Sequence, residues 1–190
     1  MGEEIGDYMN FEEAFEFSSK IGSPTSYLDS SLKLLWHSVS LAPRGFGLEI
    51  GCEFGRSTSM ILQAAKTFGN IFLYGVDPFT VNMHMDVPGI FLRNMREINF
   101  PFVFMMMSST FASGLLPKQF SFIHIDGDHF SPQIDFDCQL LYRLIPGGIA
   151  VFHDYGSIGT LDVKPTVDKA TKGWEVIGEA ETCYAVRKSL

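Results

Sequence analysis

The sequence predicts an α/β fold built on a mainly parallel, doubly wound sheet, with helices on both faces and an antiparallel hairpin at the C-terminal edge. Three observations carry this. Short apolar runs alternate with amphipathic stretches from residue 46 onward. The runs are continuous rather than alternating, as in strands covered on both sides. The last two, Trp174 to Ile177 and Cys183 to Arg187, are joined by GEAET and read as a hairpin.

Taken in order, residues 1 to 40 read as amphipathic helix. Phe11 and Phe15, and then Leu32, Leu35, Trp36 and Val39, recur at helical spacing. SPTS at 23 to 26 breaks this stretch, with Ser23 or Thr25 as candidate caps. Phe46 to Gly51 reads as the first strand, Ser57 to Lys66 as a helix and Ile71 to Val76 as a strand. Ile90 to Ile98 has helical spacing, and Phe102 to Met106 and Phe120 to Ile125 are strands. Pro132 to Leu144 is amphipathic, with Ile134, Cys138, Leu141 and Ile145 on one face and Asp135 and Asp137 expected on the solvent side. Ser131 is its expected cap. Pro146-Gly147-Gly148 should stop that helix, before a strand at Ile149 to Phe152 and a helix near Lys164 to Lys172. The expected organisation is a helical cap or lid over residues 1–44 on a single ligand-binding domain over 45–190.

Bulk composition narrows the function. The chain has 190 residues, enough for one domain with a substantial core. The net charge is −8, with no cluster of Lys and Arg, which argues against nucleic acid as a partner. No apolar run is long enough to span a bilayer, and the acidic N-terminus is unlike a secretory leader. Cys52, Cys138 and Cys183 lie far apart and show no zinc spacing. They read as free thiols in a reducing cytoplasm.

The stretch LEIGCEFGRST places two glycines, Gly51 and Gly55, where a strand turns into a helix. In doubly wound sheets this first turn is the usual ligand site. A dinucleotide fold would supply G-x-G-x-x-G for a pyrophosphate. Here Glu53 stands in the turn and Glu49 precedes it, and carboxylates repel phosphate. Asp77, in GVDPF, falls where an acid binds ribose hydroxyls, about 20 residues or somewhat more beyond the turn. The two turns together ask for a nucleoside bearing a cation, and S-adenosylmethionine meets that description.

The ordered set LEIGCEFGRST, GVDPF, FIHIDGDHFSPQIDFDCQLLYRLIPGGIAVFHDY and the terminal hairpin resembles class I S-adenosylmethionine-dependent methyltransferases, over roughly residues 45 to 187. The likeness is nearest to the small-molecule O-methyltransferase branch that includes macrolide-sugar O-methyltransferases and cephalosporin-hydroxylase-like proteins. The resemblance implies a Rossmann-like, three-layer fold. It implies that Glu49, Gly51 and Gly55 line the methionine end of the cofactor, with Arg56 and Ser57 beside it. Asp77 would bind ribose, and Ser108 and Ser109 would lie near adenine.

Asp126, Asp128 and His129 follow the fourth strand, and His153 and Asp154 follow the fifth. If these strands are neighbours, the five groups converge beside the cofactor. Such a set can hold a divalent cation such as Mg²⁺, which would lower the pKa of a substrate hydroxyl, with His129 taking the proton. The resemblance places metal ligands at Asp126 and Asp154, with His153 where a third ligand is often found, and a general base at His129. The plainer reading is that such residues cap the next helix or bond to loops. His124 alternates into the strand interior and reads as packed.

The expected activity is methyl transfer to a hydroxyl of a small molecule, with the apolar loop 79 to 91 as part of a lid. The chain is short, so a homo-oligomer whose neighbouring subunit completes the pocket is compatible with it. The competing classes are a nicotinamide oxidoreductase, disfavoured by Glu53 and the missing middle glycine; a metal-dependent oxygenase or hydrolase built on Asp126, His129 and His153; and a binding module without chemistry.

Overall fold

The computed structural model of the protein describes residues 10–21, 29–82 and 84–190. The expected break at residues 23 to 26, with Ser23 and Thr25, lies outside the described residues, as do residues 1–9.

One seven-stranded sheet organises the molecule, in the order β3-β2-β1-β4-β5-β7-β6. Its strands are β1 (Gly45–Ile50), β2 (Ile71–Val76), β3 (Val103–Met105), β4 (Phe120–Ile125), β5 (Leu144–Phe152), β6 (Glu175–Ala180) and β7 (Cys183–Arg187). The first five pair in parallel, and β7 pairs antiparallel with both β5 and β6. The expected doubly wound sheet with a terminal hairpin is therefore what forms. The strand order reverses between β1 and β4, and a crevice opens there beyond the carboxyl ends.

The period-two alternation along each central strand feeds two separate cores. Phe122 of β4, Leu73 of β2 and Val151 of β5 point to one face, which is covered by α1 (Phe11–Ser19), α2 (Asp29–Leu41), α3 (Arg56–Phe68) and α4 (Val87–Ile98). Ile123 and Ile125 of β4, Ile50 of β1 and Phe152 of β5 point to the other face, under α5 (Ser109–Ala112), α6 (Gln133–Gln139) and α7 (Val163–Ala170). Leu32, Leu35 and Val39 of α2 are fully buried in the first core, so α2 is part of the helical layer. The aromatic spacing of the N-terminal region has a direct use: Phe11 meets Phe15 and Trp36, and Trp36 meets Phe68 of α3.

Three elements depart from the sequence expectation. The helix after β4 ends at Gln139, passes through a 3₁₀ turn at Leu140–Arg143, and gives way to β5 at Leu144. Pro146-Gly147-Gly148 therefore lies inside the strand, with Gly147 at φ 76, rather than acting as a helix stop. Ser131 does not cap α6; Pro132 occupies the N-cap position without a side-chain cap bond. Helix α4 starts three residues early, at Val87, because Asp86 caps it by accepting from the Gly89 N–H and Pro88 fits its first turn.

Candidate active site

A cavity of about 920 Å³ lies beyond the C-terminal ends of the parallel strands. The segments just after β1, β2, β4 and β5 form its walls, with Ser108 and Ser109 entering from the cap and first residue of α5, after β3. Phe79, Thr80, Val81 and Val87 supply one apolar side, as expected for the loop 79 to 91. No described residue of α1 or α2 lines it.

The glycine turn is shaped by the protein's own packing. Gly51 has φ 86, and a Cβ there would sit 1.9 Å from the Asp126 carbonyl oxygen, so only glycine lets the ends of β1 and β4 meet. Gly55 has φ 92, and its Cβ would lie 2.5 Å from the Met95 methyl of α4. Gly51 lines the cavity. Gly55 instead faces α4 and opens α3 with no side-chain cap, which leaves the helix N-terminus to Arg56 and Ser57, both on the cavity wall.

Asp77 holds this turn in place. One carboxylate oxygen accepts from the N–H groups of Cys52 (2.7 Å) and Glu53 (2.8 Å), and the other from Phe79 (2.6 Å). Three backbone bonds tie the ends of β1 and β2 together, and the group still borders the cavity. Beside it, Glu53 sits at φ 42 and accepts from the Asn82 amide at 2.9 Å. Burial raises its pKa, and the charges of Asp126 and Asp77 add to the effect.

Glu49 departs from its expected place. The parallel register sets it beside His124 of β4, and both point into the first core. Its carboxylate is fully buried, 3.2 Å from His124 Nδ1 and 3.7 Å from the Cys52 thiol, and it does not line the cavity. The buried acid of the β1 end is thus paired within the protein, and His124 is packed as expected.

At the other end of the cavity, Asp137 is fully buried, against the expectation of a solvent-facing residue. Ser109 donates to its Oδ1 at 2.5 Å, and the Gln133 amide donates to the same oxygen at 2.9 Å and to Ser109 Oγ at 2.7 Å. Its Oδ2 has no hydrogen-bond partner among the described residues. Burial pushes the carboxyl up to about 6, against the opposing bonds from Ser109 and Gln133. The network ties the loop after β3 to α6 at the Ser108–Ser109 wall. Asp137 was findable in the sequence, because it lies three residues from Ile134 and four from Leu141, on the buried side of α6. Its polarity pointed the other way.

The strand-end cluster converges. His153 Nδ1 is 3.1 Å from Asp126 Oδ1 and 3.1 Å from Asp154 Oδ2, while His129 Nε2 is 3.5 Å and 3.2 Å from the same two oxygens. Burial opposes charge on His153, but the two carboxylates outweigh it and raise the imidazole to about 10. His129 is lifted too: the Asp126 carboxylate beside it raises that imidazole against the opposing effect of burial. Burial likewise resists ionisation of Asp126, yet the two histidines hold its carboxyl below the usual range. Asp154 is at φ 55, and its Oδ2 reaches His129 of the segment after β4. Asp126, His153 and Asp154 each offer a donor atom, all within 4.8 Å of one another, a spacing that suits one divalent ion.

The family follows from comparison. Residues 48–155, from the first strand to just past the cluster, match the model of a methyltransferase-domain family. The chain belongs to that family. This methyltransferase is of the S-adenosylmethionine-dependent class, as the resemblance implied. No curated protein sequence matches it. Among solved structures it is similar to CalS11, a TDP-rhamnose 3'-O-methyltransferase of calicheamicin biosynthesis, with TM-score 0.65 at 13% identity over 83% of this chain and 76% of the other. A putative caffeoyl-CoA O-methyltransferase from Staphylococcus aureus gives 0.67 at 14% identity, covering 96% and 93%. An O-methyltransferase from Bacillus cereus in complex with SAH gives 0.65 at 16% identity, covering 93% and 90%. At these identities the likeness speaks to the fold. The methyltransferase has no described helix long and apolar enough to cross a membrane, and its three cysteines are buried and free.

Proposed function

We propose that the methyltransferase carries a methyl group from S-adenosylmethionine to a hydroxyl oxygen of a small molecule. The observation that carries this reading is the gathering of His129, His153, Asp126 and Asp154 within ion-pair distance at the cavity wall, next to the glycine turn. A hydroxyl must lose a proton to attack carbon, and this is the one place on the cavity wall, among the described residues, where imidazole bases meet carboxylates.

S-adenosylmethionine supplies a methyl carbon on a cationic sulfur, which an oxygen nucleophile displaces. The carboxylates of Glu53, Asp77 and Asp126 favour that cation and its ammonium group. Gly51, Arg56 and Ser57 border the methionine end, Asp77 faces the ribose while fixing the turn, and Ser108 and Ser109 border the base. Glu49 supports the turn from below through His124 and Cys52. His129 takes the acceptor proton as the new oxygen–carbon bond forms and the carbon–sulfur bond breaks, and Asp126 stabilises the imidazolium that results.

Asp126, His153 and Asp154 would hold a divalent cation, Mg²⁺ or another. Such an ion lowers the pKa of a coordinated hydroxyl. To serve as a ligand His153 would have to be neutral, so metal uptake would compete with its protonation. The region 79–91 closes over the acceptor, and a neighbouring copy of the chain completes the pocket mouth. The test is transfer of labelled methyl to a panel of hydroxylated compounds, with and without EDTA. Transfer to oxygen supports the reading. Transfer that goes only to nitrogen or carbon contradicts it, and full activity in EDTA removes the metal.

A further inference from the structure

The charge on the cavity wall selects among acceptors. Six carboxylates border it (Glu53, Asp77, Asp126, Asp128, Asp137 and Asp154), against a single Arg or Lys side chain, Arg56. Arg56 is itself 7% exposed, and the charge of Asp29 on α2 acts on its guanidinium. The wall stays net negative even when His129 and His153 both carry protons. Residues 1–9, 22–28 and 83 contain no Lys or Arg and add three acids, Glu3, Glu4 and Asp7. The buried Oδ2 of Asp137 has no hydrogen-bond partner among the described residues, and burial, with the charges of Asp126 and Asp77 adding to it, raises the Glu53 carboxyl. The uncharged lining is part polar, with Ser57, Ser108, Ser109 and Gln133, and part apolar, with Phe54, Pro78, Phe79, Val81, Val87 and Phe130.

We infer that the acceptor is an uncharged or amine-bearing hydroxyl compound with an apolar body, and that the site rejects acceptors carrying phosphate or carboxylate, such as nucleotide-linked sugars and thioesters of coenzyme A. The inference rests on the methyl-transfer reading above. Neither S-adenosylmethionine nor a divalent ion changes the sign: the cofactor's sulfonium and ammonium outnumber its carboxylate by one, an ion in place of the His153 proton would add one more, and the excess of the six carboxylates over Arg56 and two imidazoliums is larger than both together. A phosphoester entering this cavity would give up hydration and meet carboxylates instead of the Arg or Lys groups that anion sites provide. An ammonium gains what the anion loses.

The experiment uses three diols of nearly the same shape: dopamine, 4-ethylcatechol and 3,4-dihydroxyphenylacetate. Initial rates of labelled methyl transfer are measured at low ionic strength with the whole protein. The expected order in kcat/KM is amine at or above neutral, with the carboxylate lower by about tenfold or more. The gap should narrow as salt is raised to about 0.5 M. Asp128→Lys, which reverses one charge on the wall, should shrink the gap about tenfold. A carboxylate turned over as fast as the amine overturns the inference. So does a ranking that Asp128→Lys leaves unchanged, since shape alone would then explain it. If none of the three is methylated, titration calorimetry on protein saturated with S-adenosylhomocysteine decides. Absence of heat from 1 mM uridine diphosphate and 1 mM coenzyme A supports the inference, and binding of either below about 100 μM sinks it. Failure of S-adenosylhomocysteine itself to bind would defeat the methyl-transfer reading instead.

Discussion

At the scale of single residues, His129 and Asp137 make contrasting demands. His129 sits at the reacting end, half-buried between two carboxylates. Its replacement by Ala should cut kcat by about 10²–10⁴ and leave S-adenosylhomocysteine affinity within about twofold, as general-base loss does. Steady-state kinetics beside calorimetry checks this, and an unchanged kcat removes the base role. Asp137 acts on stability. Burial lifts its folded-state carboxyl to about 6, above the unfolded value of 3.8. The folded state therefore holds this proton more tightly. The stability it contributes is complete below about 3.8 and is lost as pH rises through about 6. A shift of that size corresponds to roughly 3 kcal/mol at most. Asp137→Asn cannot titrate. Relative to wild type it should gain stability between pH 4.5 and pH 7.5, by up to about 3 kcal/mol in urea denaturation. A difference that does not change with pH would contradict the burial argument.

At the scale of elements, β1 and the turn after it are fastened on three sides. Gly51 touches the β4 end, Asp77 bonds the turn from the β2 end, and Gly55 packs under α4. Gly51→Ala places a Cβ 1.9 Å from backbone that has nowhere to move. It should cost more than about 3 kcal/mol, or prevent folding. Gly55→Ala meets a flexible Met95 methyl and should be milder, with left-handed strain of about 1–2 kcal/mol. Melting temperatures of the two variants test the order, and a reversed order would mean the close approach at Gly51 can relax. The elements also show what could be read in advance. Strands β2, β4 and β7 were legible to the residue because each is an apolar run between polar breaks. Helix α5 was not, since four residues carry no helical period. The β5 start was missed because Pro146-Gly147-Gly148 reads as punctuation, and at a strand irregularity it is tolerated.

At the scale of the molecule, the sheet order brings together groups far apart in sequence. Parallel pairing of β4 with β5 is what sets Asp126 and His129 against His153 and Asp154. That convergence could be argued from strand order, and the ligand types could be read from IDGDH and HDY. What could not be read was the burial of Glu49, which depends on register with His124, and the bond from Asn82 to Glu53, which depends on a loop conformation. If the cluster holds a divalent ion, Asp154→Ala should abolish any metal-induced rise in melting temperature while sparing S-adenosylhomocysteine binding. An equal metal response in the variant would place the ion elsewhere.

The central claim is that the carboxylate-lined cavity after the glycine turn holds a cationic adenosyl compound. Titration calorimetry with S-adenosylmethionine and, in parallel, NADH tests it most directly. The account predicts saturable one-site binding of S-adenosylmethionine and no heat from the dinucleotide. Tight NADH binding with no response to S-adenosylmethionine would contradict it.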